Sequence, residues 1–329
     1  MRDSRLNEAE RVKQPLFMFK LLILFVFLLG FLALLSGDRF ERRPDREPAP
    51  RHPASLRFEP LALGSWQEAG WRLDGAWVVR ADDSLIAGLS ALVLPGRDDL
   101  LALTDSGRLV TLPRPGSGGH AMVEDLPDGP GDPHYRRYRD SEALLLHGGE
   151  RWVTFENRHS LWRYGAGGAR WTDLPDLGWS INAGVEAMVM TPEGLLMLPE
   201  ESGIALLLGP DGRFRTVAVE GRSGGLADAT RLPDGRVLVA ERVLGWRGIR
   251  NRLAWLEPDG AGYRLRAFAT LPLGPFDNVE GLAAEPLADG RTRLWAITDN
   301  DGWRRTLLLA LTLDTAKRPG ERRAASSNR

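Results

Sequence analysis

The sequence predicts an all-β protein: a six-bladed β-propeller preceded by one N-terminal transmembrane helix. Three observations predict it. A long apolar run, Leu16 to Gly37, lies near the start of the 329-residue chain. After it, no extended set of apolar residues recurs at the three-and-four spacing of an amphipathic helix. Instead, one scheme of short apolar runs and tight turns returns every 42 to 52 residues, the period of a propeller blade.

The elements follow in order. Residues 1–15 form a short cytoplasmic segment. Leu21 to Leu35 carries no charge; with Leu16 to Phe19 the run reaches about the 20 residues that cross a bilayer, and Lys20 can snorkel. It reads as an uncleaved anchor, or as a signal segment whose removal would release the domain; "FLALLSGD" offers no small-residue cleavage site. Basic residues flank the run on both sides, so the positive-inside count does not orient it. A short N-terminus before a large C-terminal domain favours an inner-membrane, single-pass protein with that domain in the periplasm. Residues 38–57 read as a Pro- and Arg-rich spacer, 58–315 as the propeller and 316–329 as a disordered tail.

Within 58–315 each unit begins on a short polar residue: Ser90, Glu142, Glu186, Asp228 or Glu280. A small residue and an apolar run follow, then a turn such as PDG, PEG, HGGE or ADG. Glycine in these turns supplies the positive φ of tight hairpins. A second apolar run ends on Asp105, Glu156, Glu200 or Glu201, Glu241, or Asp299. Five units are visible; Leu56 to Asp83 is expected to supply a sixth, with "TLLLALTL" (Thr306–Leu313) closing the ring beside it.

Innermost strands of a propeller line its axial channel, so the starting acids should form a ring at one depth. Glu142, Glu186, Asp228 and Glu280 are the expected ring, with Ser90 its neutral member. Crowded, partly desolvated carboxylates need cations, protons or arginines. Three readings stay open: backbone hydrogen bonds that stitch blades together, binding of a hard cation such as Ca²⁺ through oxygen ligands, and acid–base chemistry. The acids closing the second run should sit on the rim, either in local salt bridges or, beside arginines, around a metal-bridged anion. Glu156, Glu241 and Asp299 join the expected metal ligands. Arg158, His159, Arg242 and Asn300 are the expected substrate contacts.

Other chemistry is excluded. Zero Cys removes thiolate catalysis and Cys-ligated zinc, and a net charge of −1 gives no general attraction to nucleic acid or to anionic lipid. No H-E-x-x-H, P-loop or G-x-S-x-G elbow is present; in "GLSAL" Ser90 reads as a strand-start residue.

The stretches "IAGLSALVL…LLALTDSGRL", "RDSEALLL…WVTFENRHSLWRY", "NAGVEAMVM", "LADATRLPDGRVLVAER" and "DNVEGLAAEPLADGRTRLWAITDND" together resemble the bacterial phytase-like domain family, described as having esterase-like activity of phytase. The resemblance spans Phe58 to Leu313. It implies an exported β-propeller distantly similar to calcium-dependent phytases, and so a metal-dependent hydrolase of an anionic phosphate or other ester. The alternative is a non-catalytic scaffold that binds a protein, glycan or envelope component at the propeller mouth.

Overall fold

The structure is a computed structural model that describes residues 43–68, 70–180, 183–299 and 305–314. The expected N-terminal segment, the apolar run Leu16–Gly37 and the tail 316–329 lie outside the described residues. The compact unit begins at Arg46. Among the described residues it is all β, apart from one 3₁₀ turn at Arg136–Tyr138.

Three strands come first: β1 (His52–Pro60), β2 (Gln67–Glu68) and β3 (Trp71–Ala81). Four-stranded antiparallel units follow. The first is β4–β7 (Leu89–Val93, Asp99–Thr104, Arg108–Pro113, His120–Asp125) and the second β8–β11 (Ser141–His147, Glu150–Phe155, Ser160–Gly165, Gly168–Asp173). The third is β12–β15 (Val185–Thr191, Gly194–Pro199, Ile204–Leu208, Phe214–Glu220) and the fourth β16–β19 (Gly225–Arg231, Val237–Gly245, Gly248–Asp259, Gly262–Thr270). Then come β20–β22 (Asn278–Pro286, Thr292–Asp299, Thr306–Leu313). The fifth unit takes its fourth strand from the other end of the chain: β3 pairs with β22, Val79 opposite Thr306 and Trp71 opposite Leu313.

The first strands pack against one another in a closed ring, β4–β8–β12–β16–β20 and back to β4. Five apolar clusters fill the spaces between neighbouring units. One example joins the fifth and first units: Leu89, Leu92 and Ala102 meet Ala283, Ile297 and Leu308. This is a β-propeller, and its strand pairing makes five blades where six were expected. Leu56–Asp83 does not form a blade of its own. β3 completes the fifth blade beside "TLLLALTL", and β1 joins β3 to β7 on the outside of the first. β1 also begins at His52, inside the stretch expected to be spacer.

The turns obey their chemistry. At Pro233-Asp234-Gly235, Gly235 takes φ +88° and Asp234 Oδ1 accepts the Arg236 amide at 3.0 Å. Polar side chains tie blades together near the strand starts. Ser90 Oγ donates to Ser141 O at 2.8 Å, Ser141 Oγ to Thr104 O at 2.7 Å, and Thr154 Oγ1 to Val185 O at 2.9 Å. Each satisfies a buried carbonyl that would otherwise cost about 1–3 kcal/mol. Ser90 is thus a strand-start tie, as its sequence context suggested.

Candidate functional site

Each inner strand loses pairing register near its start. The slip spans Ser90 in β4, Glu186 in β12, Ala227 in β16 and Glu280 in β20, and lies between Ser141 and Leu144 in β8. A bulge re-aims side chains and is common beside functional sites. The turns joining second to third strands, and the connections between blades, lie on this same side and form a mouth around the axis.

Acids crowd that mouth. Oxygens of Asp140, Glu142 and Glu156 lie within 4.8 Å of one another, all three residues half-buried. Asn157 Nδ2 donates to Asp140 Oδ2 at 2.6 Å. Beside the triad stands Arg242, whose Nη1 donates to Glu280 Oε1 at 2.5 Å and whose Nη2 donates to Glu200. Asn278 also donates to Glu280, and Arg136 pairs with Asp105.

The electrostatics follow from crowding in a partly dry space. Burial, then the charge of Asp140, raises the Glu156 carboxyl to about 7. Burial raises Glu280 to about 8, against the pull of Arg242. Glu142 and Glu186 are pushed well above the carboxylate range, first by burial; Glu186 and Asp140 add to the effect on Glu142, while Arg242 opposes it on Glu186. Asp140 is raised by burial and Asp105. For Arg242 burial works against the charge, but Glu280, Glu186, Glu200 and Glu142 together outweigh it and hold the guanidinium protonated. Two like charges at the triad's separation repel by about 3 kcal/mol at an effective dielectric near 20. The triad therefore holds protons or a cation. Three carboxylate oxygens with no imidazole or thiolate suit a hard ion such as Ca²⁺ or Mg²⁺.

The structure brings together Glu142, Glu186, Glu280 and Glu156 from the expected ligand set, with Asp299 close enough to raise Glu280. Two others take different places. Asp228 falls one residue past the slip, at the position held elsewhere by Ala91, Ala187 and Gly281. Its Oδ2 accepts the Leu282 amide at 2.6 Å and its Oδ1 the Ala229 amide at 2.7 Å; the Leu92 amide also bonds to it. It links three inner strands and is 3% exposed, so it is a structural acid and not a channel ligand. Burial raises it well above the usual range, with those amides opposing. Glu241 alternates with Arg242 along β17 and so faces the other way. It is 1% exposed and accepts the Ser223 amide at 2.7 Å.

Of the expected substrate contacts, Arg242 lies in the acid ring. Arg158 lines a separate cavity of about 370 Å³ with Trp162, Trp171 and Asp173. His159, at φ +33°, packs its ring edge-on to Trp179 at 5.8 Å. Asn300 lies outside the described residues. Asp140, Asn278 and Arg136 enter the site without having been singled out. The first two had a signal: "DSE" and "NVE" each place a polar side chain two residues before a ring glutamate. Arg136 had none, because its approach depends on how the 126–140 connection folds back.

A family model for phytase-like proteins, described as "Esterase-like activity of phytase", matches residues 84–302. The chain belongs to the phytase-like family. The match covers all five inner strands and the acid mouth of this phytase-like propeller. Among solved structures, it is similar to glutaminyl cyclase of Myxococcus xanthus, with 16% identity, a TM-score of 0.45, and 81% of this chain and 99% of that one covered. It is also similar to virginiamycin B lyase of Staphylococcus aureus, with 11% identity, a TM-score of 0.41, and 74% and 70% covered. Both similarities are too distant to bear on chemistry. A search of curated proteins finds no match.

Proposed function

We propose that this phytase-like propeller is a membrane-anchored, metal-dependent hydrolase of phosphate or other esters in the periplasm. The observation that carries the reading is the Asp140–Glu142–Glu156 triad set beside Arg242 in one mouth. An anionic ester would be repelled by this mouth alone, since Asp105, Asp140, Glu142, Glu156, Glu186, Glu200, Glu280 and Asp299 outnumber Arg136 and Arg242. Cation binding must therefore precede substrate binding. Asp140, Glu142 and Glu156 would hold the cation, with Ca²⁺ the first choice. When bound, it would supply Lewis-acid polarisation of the ester and a lowered pKa for a coordinated water.

The chain's own residues do the rest. Arg242, fixed by Glu280 and Glu200, lowers the local negative potential without blocking the triad. Burial raises the Glu186 carboxyl well above the usual range, against the pull of Arg242, and so lessens the charge it brings to the mouth. Arg136, half-exposed at the rim, is the cation best placed to meet an incoming anion.

The test is hydrolysis of generic phosphomonoester and carboxylester substrates by the full chain, with Ca²⁺ and with chelator. Turnover should appear only with the cation, and Glu142→Gln should weaken Ca²⁺ binding at least about tenfold. Absence of turnover despite a Ca²⁺-raised melting temperature would favour the second reading, a scaffold that binds an envelope component at its mouth. That reading draws support from Asp228 and Glu241, whose carboxylates serve the fold.

A further inference from the structure

Not all of the mouth side is acidic. The hairpin joining β17 to β18 runs past the end of the inner strand it packs on: Gly225 pairs with Arg242, and Val243 to Gly245 continue beyond. Three residues of strand project about 10 Å. At this tip Leu244 is 81% exposed and Trp246 is 89% exposed. In the neighbouring connection Phe276 is 61% exposed, next to Pro275, whose carbonyl accepts the Ile249 amide at 2.8 Å. Ile204, 44% exposed at the start of β14, lies on the same side. Arg247 stacks over Trp246 at 4.4 Å from the ring centroid, and Arg250 is exposed; among the described residues neither has a carboxylate partner.

Large apolar side chains at a protruding tip, flanked by unpaired arginines, match the interfacial zone of an anionic bilayer. Trp seats at the headgroup level, and each arginine adds about 1 kcal/mol near an anionic surface. A protein partner fits less well. Leu244, Trp246 and Phe276 offer roughly 500 Å², against roughly 800 Å² per partner in a standard interface.

The propeller unit begins on this same side: Arg46, 6% exposed, donates to Ser106 O at 2.8 Å and Pro133 O at 2.9 Å, both on the mouth side.

We infer that the β17–β18 hairpin, with Phe276, docks on an anionic lipid surface and turns the acid mouth toward it. The tip holds the acids about 10 Å off the lipid, near or beyond the Debye length of about 8 Å, so their repulsion is largely screened. The inference rests on the anchor reading and is independent of the hydrolase reading.

The chain has no cysteine, so single-cysteine labelling is clean. The full chain would be placed in lipid nanodiscs, neutral or anionic, carrying an environment-sensitive dye at Leu244→Cys. Glu193→Cys, in the turn at the opposite end of the third blade, is the control site. Docking should shift the Leu244→Cys dye emission to the blue in anionic discs and expose it to quenching by spin-labelled lipid, with the control unchanged. Adding Arg247→Gln and Arg250→Gln should lower the docked-to-undocked ratio about 30-fold. A disc-bound chain whose Leu244→Cys dye stays in water overturns the docking and leaves the anchor standing. A chain that does not co-elute with the discs overturns both. A blue shift without lipid quenching that grows with chain density assigns the tip to a protein contact and also overturns the inference.

Discussion

The second and fourth blades begin alike in sequence and differently in space. Glu142 opens β8 and Asp228 opens β16, each beside small residues. Glu142 joins Asp140 and Glu156 in the mouth. Asp228 turns inward and accepts amides from its own and two other inner strands. One residue of register separates the outcomes. In the fourth blade the slip takes Ala227, so the acid moves to the position that Gly281 holds in the fifth. The lesson is that an acid at a strand start is a ligand or a staple according to which side of a bulge it falls on.

The largest test of that contrast is Asp228→Ala. It strands up to three buried amides, each costing about 1–3 kcal/mol, and should lower unfolding stability by about 3–5 kcal/mol in urea melts. Glu142→Gln should cost almost nothing in chelator. Equal losses in the two variants would erase the distinction.

Gly281→Ala comes next. An added Cβ would meet Leu92 Cβ at 2.7 Å and Leu92 N at 2.8 Å, where β20 and β4 close the ring. We expect a loss of about 1–3 kcal/mol from overpacking, read in the same melts.

The pH dependence tests the crowding of the mouth acids. Glu156 and Glu280, at about 7 and about 8, titrate above the ordinary carboxylate value of 4.5. Between those limits the folded chain binds more protons than the unfolded one. The stability these two groups contribute is therefore fully present below pH 4.5 and is lost as pH rises through 7 and 8. In chelator the melting temperature should fall across that window. Ca²⁺ should flatten the decline, because it binds the ionised form; a flat profile in chelator would mean that the acids are not crowded.

The smallest effect belongs to Glu241→Gln. It keeps an acceptor for the Ser223 amide but loses the charge, so stability should fall by about 1 kcal/mol. The Ca²⁺-induced rise in melting temperature should remain. If that rise disappeared, Glu241 would return to the ligand set.

Much of this was legible in advance. Turn dipeptides, apolar runs and the spacing of starting acids placed the inner strands, and they put Glu142, Glu186 and Glu280 in one ring. Glu156 was legible as a rim acid. Asp140 and Asn278 could have been found from their spacing to those glutamates. Arg242 was read as an anion contact, and its place among the acids also answers the need for charge compensation. The blade number was overread, because Leu56–Asp83 has strand composition but no inner-strand start.

The linear sequence by itself determined the all-β class, the repeat, and which residue types reach the mouth, since these follow from local turn chemistry and a two-residue side-chain period. Only the tertiary structure decided the rest. Closure of β3 onto β22 joins residues more than 200 positions apart, at Val79 and Thr306, and reduces six expected blades to five. The register slips decided which acids share the mouth. A slip of one residue reverses the face of every side chain after it, and its position depends on how neighbouring blades pack.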